Sequence, residues 1–232
     1  TEIERLEGSF IQRAIKRFQA CPNLEILGNP FTPRIAIMAL RFKHDDKDLH
    51  YGFIVSLLND LFGIQVRGGC SCAGPYGHSL LGMDMPYSRA IESEIKQGNM
   101  LLRPGWVRLN FNYFIDEQEF EYLLKAVELV ATSGWRMLPF YQVEVKSGVW
   151  RFQGQSNQMA SSLDDFQFTD YCQNSSLPTN IKVSLDGIYS SAKQVLLNTA
   201  DYNEVPPLIL SDESERLRWF TLPQEVTHNN LA

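Results

Sequence analysis

The sequence predicts an α+β fold: a two-layer sandwich of a small, mostly antiparallel sheet with helices on one face, then an irregular C-terminal extension. Three observations predict it. Apolar residues recur at helical spacing over 3–18, again in a helix built on Ile54, Leu57, Leu58 and Leu61, and from about 117 into the 130s. Short β-prone stretches lie between these helices, the clearest being the strict alternation over 106–114. Their order is helix, strand, strand, helix, strand, loop, strand, helix, which brings the helices to one side of the sheet.

The elements follow in turn. Ile3, Leu6, Phe10, Ile11, Ala14, Ile15 and Phe18 form the stripe of an amphipathic opening helix, which Pro22 ends. Residues 24–27 read as a short strand closed by Gly28, and 34–42 as a central strand. A polar turn over 43–48 leads to the second helix, with Gly63 as its C-terminal stop. Residues 64–66 are expected as a strand feeding a cysteine-containing loop, and 88–97 as a helix. Over 106–114, Val107, Leu109, Phe111 and Tyr113 point one way, and Arg108, Asn110 and Asn112 the other. Asp116 is a good N-cap, with Glu119 three residues on and an Ile115/Phe120 staple. Beyond residue 138, stretches 142–145 and 149–152 form a hairpin around Ser147 and Gly148. Residues 153–180 are polar and expected to be irregular, 182–198 helical, and 217–222 a short strand.

The chain has 232 residues, 44% hydrophobic and 21% charged, which is ordinary globular composition. Residues 1–150 hold 17 acids and 16 bases, while 151–232 hold 10 acids and 5 bases, so the last third carries −5 of the net −6. Neither part is built to neutralise a phosphate backbone, which argues against a nucleic-acid partner. No apolar run approaches the ~20 residues of a membrane span, and no signal peptide is recognisable. Four cysteines are too few for a disulfide framework, so a reducing, cytoplasmic setting is expected. The chain begins at Thr1 inside a helix and without Met, the expectation for a fragment.

The chemistry concentrates in residues 66–75, VRGGCSCAGP. Gly68, Gly69 and Gly74 permit unusual backbone angles and close approach to a ligand, and Pro75 stiffens the far side. Cys70 and Cys72 lie two apart, and Arg67 supplies nearby positive charge. A thiol beside a cation and exposed amides has a lowered pKa and a larger thiolate fraction, as a nucleophile requires. Other readings stay open: half of a zinc site, although His78 and Cys172 stand alone as further ligands; a strained Cys70–Cys72 disulfide; or inert buried thiols.

The run 63–75, GIQVRGGCSCAGP, resembles the G-I-x-V-R-x-G-x-x-C-A-x-P segment of class V aminotransferase-fold enzymes, which use pyridoxal phosphate (PLP) and include cysteine desulfurases and selenocysteine lyases. Residues 106–114, WVRLNFNYF, followed by 116–120, DEQEF, resemble that family's later strand and helix. The resemblance covers about residues 1–138 and implies the C-terminal small domain of such an enzyme, with 139–232 as an extension. It implies that Cys72 is the catalytic cysteine, whose thiolate takes sulfur from L-cysteine as a persulfide and releases alanine. It implies that Arg108 clamps the substrate carboxylate. The residues agree, since Arg108 sits on the polar face of a core strand, where a guanidinium can bind a carboxylate bidentately; a surface ion pair is its alternative. Arg67 matches the motif's arginine, touching substrate or positioning the loop. Cys70, where the family commonly has histidine, is a resolving thiol or an accidental neighbour. His78 is a further accessory candidate or a loop histidine bonded to backbone.

The family's large domain carries the PLP lysine in a Ser/Thr-His-Lys motif, which this chain lacks. Expected, therefore, are a homodimeric parent enzyme with PLP, an amino-acid substrate and a possible sulfur acceptor, and an isolated chain that binds no PLP, holds no metal and is inactive. The alternatives are a class V transaminase, epimerase or lyase acting on another amino acid, and a stand-alone interaction or sulfur-carrier domain without enzymatic activity.

Overall fold

Thr1 caps the first helix. In the computed structural model, which describes residues 1–70, 74–153, 184–198 and 207–226, its hydroxyl accepts the Glu4 N–H while the Glu4 carboxylate reaches back, starting α1 (Glu2–Gln19). There follow β1 (Leu24–Ile26), β2 (Ile37–His44), β3 (Lys47–Leu49), α2 (Tyr51–Phe62), β4 (Arg67–Gly69), α3 (Gly74–Leu80), α4 (Met85–Lys96), β5 (Trp106–Asn110) and α5 (Glu117–Ser133). A hairpin of β6 (Tyr141–Glu144) and β7 (Val149–Phe152), then α6 (Leu185–Leu197) and α7 (Asp212–Leu217), complete the described strands and α-helices.

The protein is α+β, with a small sheet ordered β1-β2-β5-β4, and β3 extending the β5 side of β2. All its ladders are antiparallel. One parallel bridge, Asp48 to Phe220, adds the C-terminal segment to the edge at β3. The period of two decides the faces: Met38, Leu40 and Phe42 of β2 and Val107 and Leu109 of β5 are buried against the helices. On that side α2 inserts Phe53, Ile54, Leu57 and Leu58, α1 Phe10 and Phe18, and α5 Phe120, Leu124 and Val127. Each such side chain contributes about 1.5–3 kcal/mol by leaving water. Arg13 and Arg17 of α1 tie to Glu117, Glu121 and Glu128 of α5 along the rim. Ala39, Arg41, Trp106 and Arg108 occupy the opposite face, where α3 lies. Trp150, Ala192, Leu196, Phe220, Leu222 and Val226, all beyond residue 138, belong to the same buried cluster as the sheet.

Several element boundaries differ from the sequence reading, each for a local reason. β2 starts at Ile37 because a tight turn, with the Ile37 N–H donating to Ile35 O at 2.7 Å, occupies the preceding residues. The polar turn expected over 43–48 is a hairpin instead. Asp45 takes a left-handed φ of 53°, which Asp tolerates, and β3 pairs back from Lys47. The expected strand 64–66 begins later, at Arg67: Gly63, with φ 65°, closes α2 and the Ile64 N–H is spent on Leu58 O. Helix α3 was not foreseen, and α4 starts at Met85; Pro75 and Pro86 sit in first turns, where proline costs no hydrogen bond. β5 stops at Asn110, and a turn from Asn112 to Ile115 leaves Tyr113, expected on the core side, 47% exposed. The hairpin is shifted to β6 and β7 as given above, and α6 starts after its Ser184 cap. The strand expected over 217–222 is α7 followed by the single bridge at Phe220. The irregular stretch expected over 153–180 lies, after Gln153, outside the described residues. No helix among the described residues is long and apolar enough to cross a membrane.

Candidate functional site

Strand β4 is three residues long, and its register sets the site. Arg67 pairs with Arg108, Gly68 with Val107 and Gly69 with Trp106. Residues directly opposite across antiparallel strands share a face, so Arg67 and Arg108 emerge side by side, on the face turned away from the main core. On β2 the residue opposite Arg108 is Ala39, whose small side chain leaves room beside the guanidinium. Arg5, Arg13, Arg17, Arg41, Arg216 and Arg218 each hold a carboxylate. Arg67 and Arg108 hold none among the described residues, and the Arg108 Nε is buried without an acceptor. An unmatched buried donor on a charged group costs about 1–3 kcal/mol, a cost that an anionic ligand removes.

Arg108 lines a cleft of about 500 Å³. Ile35, Ile37, Ala39 and Trp106 form one wall, and Tyr76 and Leu80 of α3 another. Arg34 lines it too: its guanidinium donates to Asn29 O, while its Nε is also buried without an acceptor. Sequence reasoning passed over Arg34, taking it as the first residue of a strand; its position after Pro33, off the strand, was the available signal.

Cys70 is a free thiol packed under α3: a Cβ placed on Gly77 would lie 3.0 Å from its Sγ and 3.5 Å from the Trp106 ring. Cys72, with Ser71 and Ala73, lies outside the described residues. His78 sits on α3, not in a loop. With Gly74, Pro75, Ser79, Met83 and Met85 it lines a second cavity of about 580 Å³ between α3 and α4, separate from the Arg108 cleft. The structure thus sets Arg67, at the start of β4, opposite Arg108, in the middle of β5, with Cys70 just past the far end of β4, and places His78 apart from the cleft.

The loop also has a scaffold that sequence reasoning missed. Tyr51, first residue of α2, presses on the root of the loop, and His50 beside it is fully buried. The His50 Nδ1 accepts from the Gly52 N–H and the Trp150 indole, each at 3.0 Å, so its Nε2 carries the proton and donates to Leu101 O at 3.1 Å. Burial drives this imidazole down to about 3, neutral at physiological pH and without solvent access, so it builds rather than reacts. The Trp150 and Trp219 rings both pack on His50, and no spacing rule links residues 50, 150 and 219, so this cluster has no linear signature.

A PLP cofactor needs a lysine amine for its carbonyl and an acidic partner for its ring. No lysine or carboxylate lines the cleft, and Lys43, Lys47 and Lys96 hold Glu25, Glu225 and Glu92. The lining of the Arg108 cleft therefore offers neither group to such a cofactor. What the fold and site define is a small α+β domain carrying an arginine-bearing cleft beside a cysteine loop. No protein-family model matches the chain, and no curated protein matches it.

Proposed function

We propose that this chain is the C-terminal domain of a PLP-dependent enzyme similar to the cysteine desulfurases. Cys72 is the nucleophile that takes sulfur from L-cysteine as a persulfide, and Arg108, aided by Arg67, holds the substrate carboxylate. The observation that carries this reading is the Arg67/Arg108 pair, unmatched by any acid among the described residues, at the foot of the loop that bears the cysteine. The cofactor, which supplies the electron sink for breaking the carbon–sulfur bond, is held by residues outside this chain. Alone, the chain offers a nucleophile and a carboxylate clamp.

The test is made on the intact gene product. On this reading its coding sequence is expected to contain a Ser/Thr-His-Lys motif upstream of Thr1, and the purified protein to release alanine and form a persulfide from L-cysteine, both abolished by Cys72→Ala. An initiator codon immediately before Thr1 overturns the reading. Transamination or epimerisation without sulfur release replaces it with a class V enzyme acting on another amino acid.

A further inference from the structure

We infer that Trp219, in the C-terminal segment, is a positioning residue for the cysteine loop, acting through Tyr51. The inference rests on the reading of that loop as the nucleophile's carrier, and it gives the segment after residue 207 a role in the site.

The backbone that leads into the loop lies directly on the Tyr51 ring. A Cβ on Gly68 would come 2.8 Å from Tyr51 Cδ2; one on Gly105 would come 2.8 Å from Tyr51 Cε1 and 2.6 Å from the Gly69 Cα. Only glycine fits at these two points, and the ring sets the height at which β4 runs into Cys70. Trp219 stacks on that same ring, centroids 6.1 Å apart and planes 13° apart, and on His50 at 5.2 Å. Its indole N–H donates to Leu102 O at 3.1 Å and its carbonyl accepts from the Asp48 N–H, while nearby the Thr221 N–H donates to Asp48 O at 2.9 Å. The adjacent Arg218 is clasped by Glu215 and Glu225. A continuous set of contacts therefore runs from the C-terminal segment through two rings to the glycines before Cys70. Flat rings stacked between rigid backbones transmit position because packed interiors do not deform smoothly.

Thiol alkylation tests this on the chain itself, with iodoacetamide as the probe and peptide mass spectrometry reading Cys70. In Trp219→Ala, Cys70 is expected to react at least about tenfold faster than in the unaltered chain, as local opening of its packing becomes easier. Trp219→Phe keeps a ring in the stack and restores the slow rate. Leu124→Ala, a core truncation on α5 away from the stack, leaves the rate unchanged while the protein stays folded. An unchanged Cys70 rate in a folded Trp219→Ala overturns the proposal, as does an equal change in Leu124→Ala. Alkylation needs no catalytic turnover, so a failure of the desulfurase reading appears separately, as absent sulfur release.

Discussion

Arg67 and Arg108 stand directly opposite each other across β4 and β5, two guanidinium groups on one face with no described carboxylate joined to either. Like charges so opposed destabilise a sheet by roughly 0.2–1 kcal/mol. An anion bridging the two guanidinium groups would offset that repulsion. Arg67→Gln is therefore expected to raise stability by a few tenths to about 1 kcal/mol in urea unfolding with the slope unchanged, and, on the proposed function, to lower kcat/KM for L-cysteine in the intact gene product. Sulfate stabilises the unaltered chain more than the variant, since it binds only the folded pair. Loss of stability in Arg67→Gln, with no differential response to sulfate, contradicts a shared anion site.

Acid should weaken the fold before its carboxylates protonate. The His50 imidazole titrates near 6.5 when unfolded and at about 3 when folded, because burial opposes its charge. A depressed folded pKa means that the unfolded chain binds the extra proton first. Stability is thus complete above about pH 6.5 and falls as pH drops toward 3, with a slope approaching about 1.4 kcal/mol per pH unit. His44, also lowered by burial, adds to this with the same sign. Burial raises Glu225, but hydrogen bonds from Arg218, the Leu222 N–H and Lys47 outweigh it and bring it to about 2, so its own loss begins only near 4.5. The interval between these onsets belongs to the histidines among the groups named here. Urea midpoints that stay level from about pH 7 to 5 refute the neutral buried imidazole.

Two glycine-to-alanine changes should have opposite signs. At Gly105 the new methyl group would sit 2.6 Å from the Gly69 backbone, which cannot swing aside as a side chain can. Gly105→Ala is expected to cost about 1–3 kcal/mol, the usual range for overpacking, and to expose Cys70 to alkylation. Gly8, within α1, meets nothing within 4 Å. Gly8→Ala should stabilise by roughly 0.5–1 kcal/mol, the helix propensity gain. Thermal melts of the pair check both, and equal shifts would show that the close approach at Gly105 is relieved elsewhere.

Much of the architecture was legible because it rests on periodicity. The alternation around Arg108 named both the buried face of β5 and the guanidinium on the other, and Asp116 with Glu119 marked the start of α5 through a capping box that is present. Boundaries slipped where a single backbone hydrogen bond decided them, as when Ile64 closed α2 instead of opening β4. Within the candidate site, Arg67 and Arg108 were named from sequence, but their opposition is a matter of register, which no local pattern in a three-residue strand records. The His50–Tyr51–Trp150–Trp219 cluster was invisible for a different reason. Its members lie as far apart as 169 positions in the chain and meet only through tertiary packing.

The clasp at Arg218 should be far more costly to break than its neighbour at Arg216. The Arg218 side chain is 4% exposed and is held by Glu215, Glu225 and the Phe220 carbonyl. Arg216 pairs with Glu213 in the open, at 67% and 49% exposure. Arg218 is buried but Glu215 and Glu225 are 48% and 34% exposed, so losing its charge-assisted hydrogen bonds costs about 1.5–3 kcal/mol, whereas an exposed pair is worth at most about 1. Glu225 retains Lys47 and some solvent, so Arg218→Met is expected toward the lower end of that range. Because Trp219 is the next residue, its indole should lose the Leu102 carbonyl as the segment lifts, and tryptophan emission should shift to the red before global unfolding. Arg216→Met should leave stability within about 0.5 kcal/mol and emission unchanged. Equal effects from the two variants would mean that the segment is not held down at Arg218, and would remove the anchor on which the Trp219–Tyr51 stack depends.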